Sequence, residues 1–116
     1  MNSLVNRVHL IGTLGRDPEV KEFESGKKRV SFSIATNEYY KNDKGEKVET
    51  TEWHNIIAWG RLGDFCAEYL KKGKKIALQG KLTSRSYDDK EGVKKYITEV
   101  NAQDVLLLSA KEPANS

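Results

Sequence analysis

The sequence predicts an all-β fold, a small five-stranded Greek-key barrel with one short helix between its third and fourth strands. Three observations carry that expectation. Apolar and polar positions alternate with a period of two in successive stretches, as half-buried strands require. One stretch, Leu62 to Leu70, switches to helical spacing. The chain has 116 residues, 37% hydrophobic and 32% charged, which suits one domain with a modest core rather than a disordered chain.

Leu4 to Leu14 alternates, with Leu4, Val8, Leu10 and Leu14 on one face and Val5, Arg7, His9, Ile11 and Thr13 on the other. The second face is mixed, which suits contact with another strand or subunit. Asp17-Pro18 marks a break and Glu24-Ser25-Gly26 a turn. In the second strand, Arg29 to Asn37, the residues Val30, Phe32, Ile34 and Thr36 point one way, and Arg29, Ser31, Ser33, Ala35 and Asn37 the other. Asn42-Asp43-Lys44-Gly45 reads as a hairpin tip, and Thr51 to Arg61 as the third strand. Leu62, Phe65, Cys66, Tyr69 and Leu70 form the apolar stripe of a short helix. Gly73 is placed as its left-handed cap, with Lys71 and Lys72 in the last turn. Cys66 lies on the stripe and reads as a packing residue rather than a nucleophile. Lys75 to Asp88 is the fourth strand, with Ile76, Leu78 and Leu82 inward. Asp88 to Gly92 turns the chain into a fifth strand, Val93 to Leu108. Residues 1–110 are read as the domain and 111–116 as a frayed polar tail. This element order is that of the OB-fold.

Several classes of function are set aside. The longest aliphatic run, Val105 to Leu108, is far short of the roughly 20 residues that span a bilayer. The opening residues do not resemble a signal peptide. One cysteine and two histidines allow neither an internal disulfide nor an ordinary zinc site, and they favour a reducing, cytoplasmic setting. Neither histidine carries the sequence signal of a catalytic triad, and Asp88, Asp89 and Glu91 resemble a solvated turn, so no catalysis is expected. No metal or cofactor is implied.

Charge and aromatics point instead to a polyanion. The net charge is only +3, yet Lys71, Lys72, Lys74, Lys75, Lys81 and Arg85 lie between Tyr69 and Tyr87 with no acid among them. Ser25 to Asn37 is also free of acids and holds Lys27, Lys28 and Arg29. In the third strand Trp53, Asn55, Ile57 and Trp59 share one face, opposite His54, Ile56 and Ala58. Two indoles roughly 20 Å apart beside Thr51 and Asn55 suit a stacking platform better than a core. In the fourth strand Lys81, Thr83, Arg85 and Tyr87 share the outward face, so cations and a ring alternate. Tyr39-Tyr40-Lys41 adds a further aromatic next to positive charge, and which tyrosine stacks is left open. Cations follow phosphates while rings hold bases, the combination that single-stranded nucleic acid requires.

The segment Thr51-Glu52-Trp53-His54-Asn55-Ile56-Ile57-Ala58-Trp59-Gly60-Arg61 resembles the third-strand signature of bacterial single-stranded DNA-binding proteins. Asn6-Arg7-Val8, Leu14-Gly15-Arg16-Asp17-Pro18-Glu19, Glu68-Tyr69-Leu70-Lys71-Lys72-Gly73 and Tyr96-Ile97-Thr98-Glu99-Val100 match in family order, over about residues 1 to 108. The resemblance implies a homotetramer that binds single-stranded DNA with little sequence preference in replication, recombination and repair. It assigns stacking to Tyr40, Trp53, Trp59 and Tyr87. Tyr40 and Tyr87 stand where the family often has Trp, and Trp59 where Phe is common. Matching basic positions are Arg7, Arg61, Lys72 and Arg85, and the strand-face argument adds Lys81. His54 matches an interface position, and the mixed first strand adds Val5, His9 and Ile11. The sequence ends at Ser116 without the family's usual linker and acidic tip, so recruitment of replication and repair proteins through that tip is not expected of this stretch. The rival reading is a primosomal-type OB adaptor, dimeric and binding single strands more weakly. A cold-shock-type RNA binder fits less well, because the second strand shows only small polar residues outward.

Overall fold

Alternation becomes strand almost throughout residues 5–108, which the computed structural model describes. Leu4 and the polar tail 111–116 lie outside the described residues. The elements are β1 (Val8–Leu14), β2 (Glu19–Glu22), β3 (Lys28–Lys41), β4 (Lys47–Trp59), α1 (Gly60–Tyr69), β5 (Lys75–Asp88) and β6 (Lys94–Leu107). Sheet order is β1-β5-β6-β4-β3-β2, and β1 pairs again with β3. Five strands therefore close on themselves as an OB barrel, and β2 hangs on the outer edge of β3. All pairings are antiparallel except β4–β6.

Even-numbered positions fill the interior. Leu14, Val30, Phe32, Ile34, Ile56, Ala58, Ile76, Leu78, Val100 and Ala102 are buried, α1 adds Cys66, and the residue that follows the helix, Leu70, joins them. Each fully buried large aliphatic or aromatic side chain among them contributes roughly 1.5–3 kcal/mol. In β6 the register skips Gln103, since Gln79 faces Asp104 while Gly80 faces Ala102. That bulge reverses the alternation, so Val105 and Leu107 pack against the core while Leu106 is exposed.

Several expectations are corrected. β2 has no apolar alternation, being exposed at all four residues, and it forms because the turn at Gly26 folds it back on β3. The third predicted strand, β4, begins at Lys47, and Arg61 belongs to α1. Gly60, at φ 66°, makes the change from strand to helix, a conformation that residues with a Cβ rarely adopt. The helix ends on an extended Leu70 whose N–H donates to Cys66 O at 3.0 Å, with no basic residue in its last turn. Gly73 does have φ 91°, but it sits in the following Lys71–Lys74 turn and donates to Leu14 O at 2.9 Å. Leu82 is half exposed rather than inward, because the β1–β5 pairing stops at Gly80, opposite Val8. There a Cβ would collide with the Asn101 carbonyl. From Thr83 and Glu99 outward β5 and β6 pair only with each other, as a two-stranded ribbon, and β3 and β4 do the same past Glu38 and Thr50. No helix of the described residues is long and apolar enough to cross a membrane.

Candidate nucleic-acid interface

Pairing fixes which side chains share the barrel's outer surface. Across β4 and β3, Trp53 faces Ala35, Asn55 faces Ser33, Ile57 faces Ser31 and Trp59 faces Arg29. Across β4 and β6, Ile57 faces Asn101, and Asn101 in turn faces Lys81 of β5. Directly paired residues project to the same side. The tryptophan face and the Lys81-Thr83-Arg85-Tyr87 ridge are thus one continuous surface.

Trp53 is 60% and Trp59 37% exposed, whereas Ile57 between them is buried. Both rings rest on specific supports. A Cβ at Gly15 would stand 2.5 Å from the Trp53 ring, so the indole lies directly over that glycine at the end of β1. Trp59 stacks on Phe23 with centroids 5.9 Å apart and planes 27° from parallel. Phe23 in turn receives Lys21 at 5.2 Å and Arg29 at 5.5 Å from its centroid, contacts worth about 0.5–1 kcal/mol each where exposed. The Arg29 Nε is buried without a hydrogen-bond partner.

Charged positions differ in how committed they are. Lys81 and Tyr87 are exposed on the ridge, Arg61 on the first turn of α1, Lys72 in the α1–β5 turn, and Arg7 just before β1. The Lys72 backbone N–H donates to Asp17 Oδ1 at 2.9 Å, fixing that turn while its side chain faces solvent. Arg85, by contrast, donates from Nε and Nη2 to both oxygens of Glu99, at 3.1 and 3.2 Å. That hydrogen bonding raises the Arg85 pKa further, and Glu99 is buried. Arg85 reaches the surface as half of an ion pair, not as an isolated cation.

The β3–β4 ribbon separates the adjacent tyrosines. Tyr39 faces Glu49 and Tyr40 faces Val48, so alternation sets Tyr39 on the Trp53 side and Tyr40 on the reverse. Both are more than half exposed. The Tyr39 hydroxyl donates to Glu49 Oε2 at 3.3 Å, and the Lys47 ammonium lies 4.5 Å from its ring centroid.

The expected interface residues fall in two places. Val5, His9 and Ile11 are exposed, and His9 and Ile11 line a shallow groove with Ala77, Gln79, Asp104 and Leu106. His54 lies on the inner face of β4, half-buried, with its Nε2 3.0 Å from Thr36 Oγ1. Burial pushes the Cys66 thiol up to about 11. Among the described residues no cluster of His, Cys, Asp and Glu could hold a metal.

Sequence reasoning missed Phe23, Arg29 and Gly15 as supports of the platform. The alternation of Lys21, Phe23 and basic Lys27 to Arg29 carries the same cation-and-ring signal as β5. Nothing local marks Gly15, because its partner is a ring 38 positions away.

The sequence pattern of the single-strand binding protein family matches residues 5–108. The single-stranded DNA-binding protein 1 of Chlorobaculum tepidum is 50% identical over 109 residues, which cover 93% of this chain and 67% of that protein. Its counterpart in Xylella fastidiosa is 41% identical, covering 96% and 82%. For the single-stranded DNA-binding protein of Neisseria meningitidis the figures are 39%, 92% and 62%, so the chain spans about two thirds of the length of some relatives. Among solved structures, the Plasmodium falciparum SSB in complex with ssDNA superposes with a TM-score of 0.83 at 32% identity, over 90% of this chain and 96% of that one. A deletion mutant of the single-stranded DNA binding protein from Thermus aquaticus gives 0.80 at 27%, over 92% and 52%. The adaptor reading gains nothing from these comparisons.

Proposed function

Because the chain belongs to the single-strand binding protein family, we propose that it binds and protects single-stranded DNA, with little sequence preference, during replication, recombination and repair. The observation that carries this reading is the pair of supported, solvent-facing indoles, Trp53 and Trp59, on one surface with a cationic ridge. Every base has a π-face, and stacking on an aromatic contributes about 1–3 kcal/mol per base whatever the base. Duplex bases are already stacked on one another, so the same surface passes duplex over. Lysines and arginines contribute through release of counterions from the phosphates.

In this reading Trp53, Trp59 and Tyr87 stack along the outer surface, and Tyr40 takes the strand where it passes the reverse of the β3–β4 ribbon. Arg7, Arg61, Lys72 and Lys81 meet phosphates, and Arg85 does so while held by Glu99. The binding is passive, with no bond made or broken. The groove at His9 and Ile11, together with Val5, is assigned to contact between subunits of a homotetramer, with His54 supporting assembly from the inner face. A cytoplasmic, nucleoid-associated setting follows from that partner.

The test is competition. A labelled single strand bound by the protein should be displaced by unlabelled single strand of unrelated sequence and not by duplex of equal length. The strand should be recovered intact after incubation with Mg²⁺. Equal displacement by duplex would refute the stacking mechanism.

A further inference from the structure

Resting on the single-strand reading above, we propose that the cavity between the β2–β3 turn and the end of β4 is a one-nucleotide subsite. In it a base lies against Trp59 and the flanking phosphates meet Lys27 and Lys28. The cavity is about 420 Å³ and is lined by Gly26, Lys27, Lys28, Trp59, Gly60 and Asp64. That volume falls within the range of sites that hold small organic ligands, roughly 300–1,000 Å³.

The walls divide the chemistry. Trp59 supplies a flat apolar face that lines the cavity, while Phe23 stacks on the indole without lining it. The ring is therefore held in place by the protein and still presents surface to a base. Gly26 and Gly60 leave backbone bare: a Cβ at either would meet nothing within 4 Å, so a nucleotide can approach closely. Lys27 and Lys28 stand on a turn pinned by two backbone bonds of 2.8 Å, Phe23 N–H to Lys27 O and Gly26 N–H to Phe23 O. Both residues are exposed and line the same cavity as Trp59, so two cationic residues border one ring. Asp64 on α1, the only acid among the described residues that line the cavity, disfavours phosphate on its own wall and so directs the backbone toward the lysines.

The inference gives β2 a purpose. This short strand adds nothing to the barrel interior, but it leads into Phe23 and the turn that brings Lys27 and Lys28 to the end of β4. It extends the DNA path past the tryptophans to a wall that neither aromatic spacing nor charge runs define alone.

The experiment compares the wild-type protein with the double variant Lys27→Ala/Lys28→Ala, titrated with oligo-dT over a salt series. Each phosphate contact on a single strand contributes about 0.7 to the slope of log K against log salt. Losing two should make the slope about 1.4 shallower. In parallel, Lys27 and Lys28 of the wild type should be shielded from acetylation when the strand is bound. An unchanged slope overturns the proposal, and so does a changed slope without shielding, which would reflect charge acting at a distance. Wild-type protein that fails to bind oligo-dT at all would overturn the single-strand reading instead.

Discussion

Gly15 acts as a floor for Trp53. The substitution Gly15→Ala places a methyl group where the indole lies, and the exposed ring must tilt away. Its expected effect is the loss of one stacking contact, about 1–3 kcal/mol, read as weaker oligo-dT binding with a nearly unchanged melting temperature. Arg85 adds a stability signature to its part in binding. Removing it leaves the buried Glu99 carboxylate without its bidentate partner. Because the guanidinium is partly exposed, Arg85→Ala should cost only about 1–2 kcal/mol of stability, measured by urea unfolding. Cys66 makes a pH prediction. The unfolded thiol ionises near its ordinary 9.0, whereas the folded thiol waits until about 11. Folding thus favours the protonated form, and its contribution is complete below pH 9. It is lost as pH rises toward 11, by up to roughly 3 kcal/mol. Cys66→Ala should flatten that part of the stability profile.

Each element reflects how far local pattern reaches. β3, β4 and β5 were legible because Val30, Phe32, Ile34, Ile56, Ala58, Ile76 and Leu78 alternate strictly, and alternation is a direct consequence of one buried face. The strand-facing of Trp53 and Trp59 followed from the same parity. β2 was not legible, since all its residues are exposed and its only cause is pairing with β3. Leu82 was misplaced because parity cannot show where a strand leaves its barrel. Gly73 was misplaced because a left-handed glycine serves a β-turn as well as it caps a helix. The extended ribbons depend on their tips. Asn42 Oδ1 accepts from the N–H groups of both Lys44 and Glu46, at 2.9 Å. Asn42→Ala should lower hydrogen-exchange protection at the end of the β3–β4 ribbon, where Tyr39 and Tyr40 sit, and leave the barrel's protection unchanged.

Two surfaces divide the whole molecule. One bears Trp53, Trp59, Lys81 and Tyr87. The other centres on His9 and Ile11 beside Leu106. In the proposed homotetramer the second is the contact between subunits and the first is the path of the strand. Ile11→Glu, which sets a charge in the middle of the proposed contact, should shift the native mass to a smaller species with the same fold by circular dichroism. An unchanged mass would remove that groove from the assembly. The strand-binding surface is addressed most directly by the intrinsic fluorescence of Trp53 and Trp59 during titration with oligo-dT. Solvent-facing indoles should emit at long wavelength in the free protein, quench strongly and saturably on single strands, and remain unaffected by duplex. Short-wavelength emission from the free protein with no quenching would mean that the tryptophans are core residues, and the stacking surface described above would not exist.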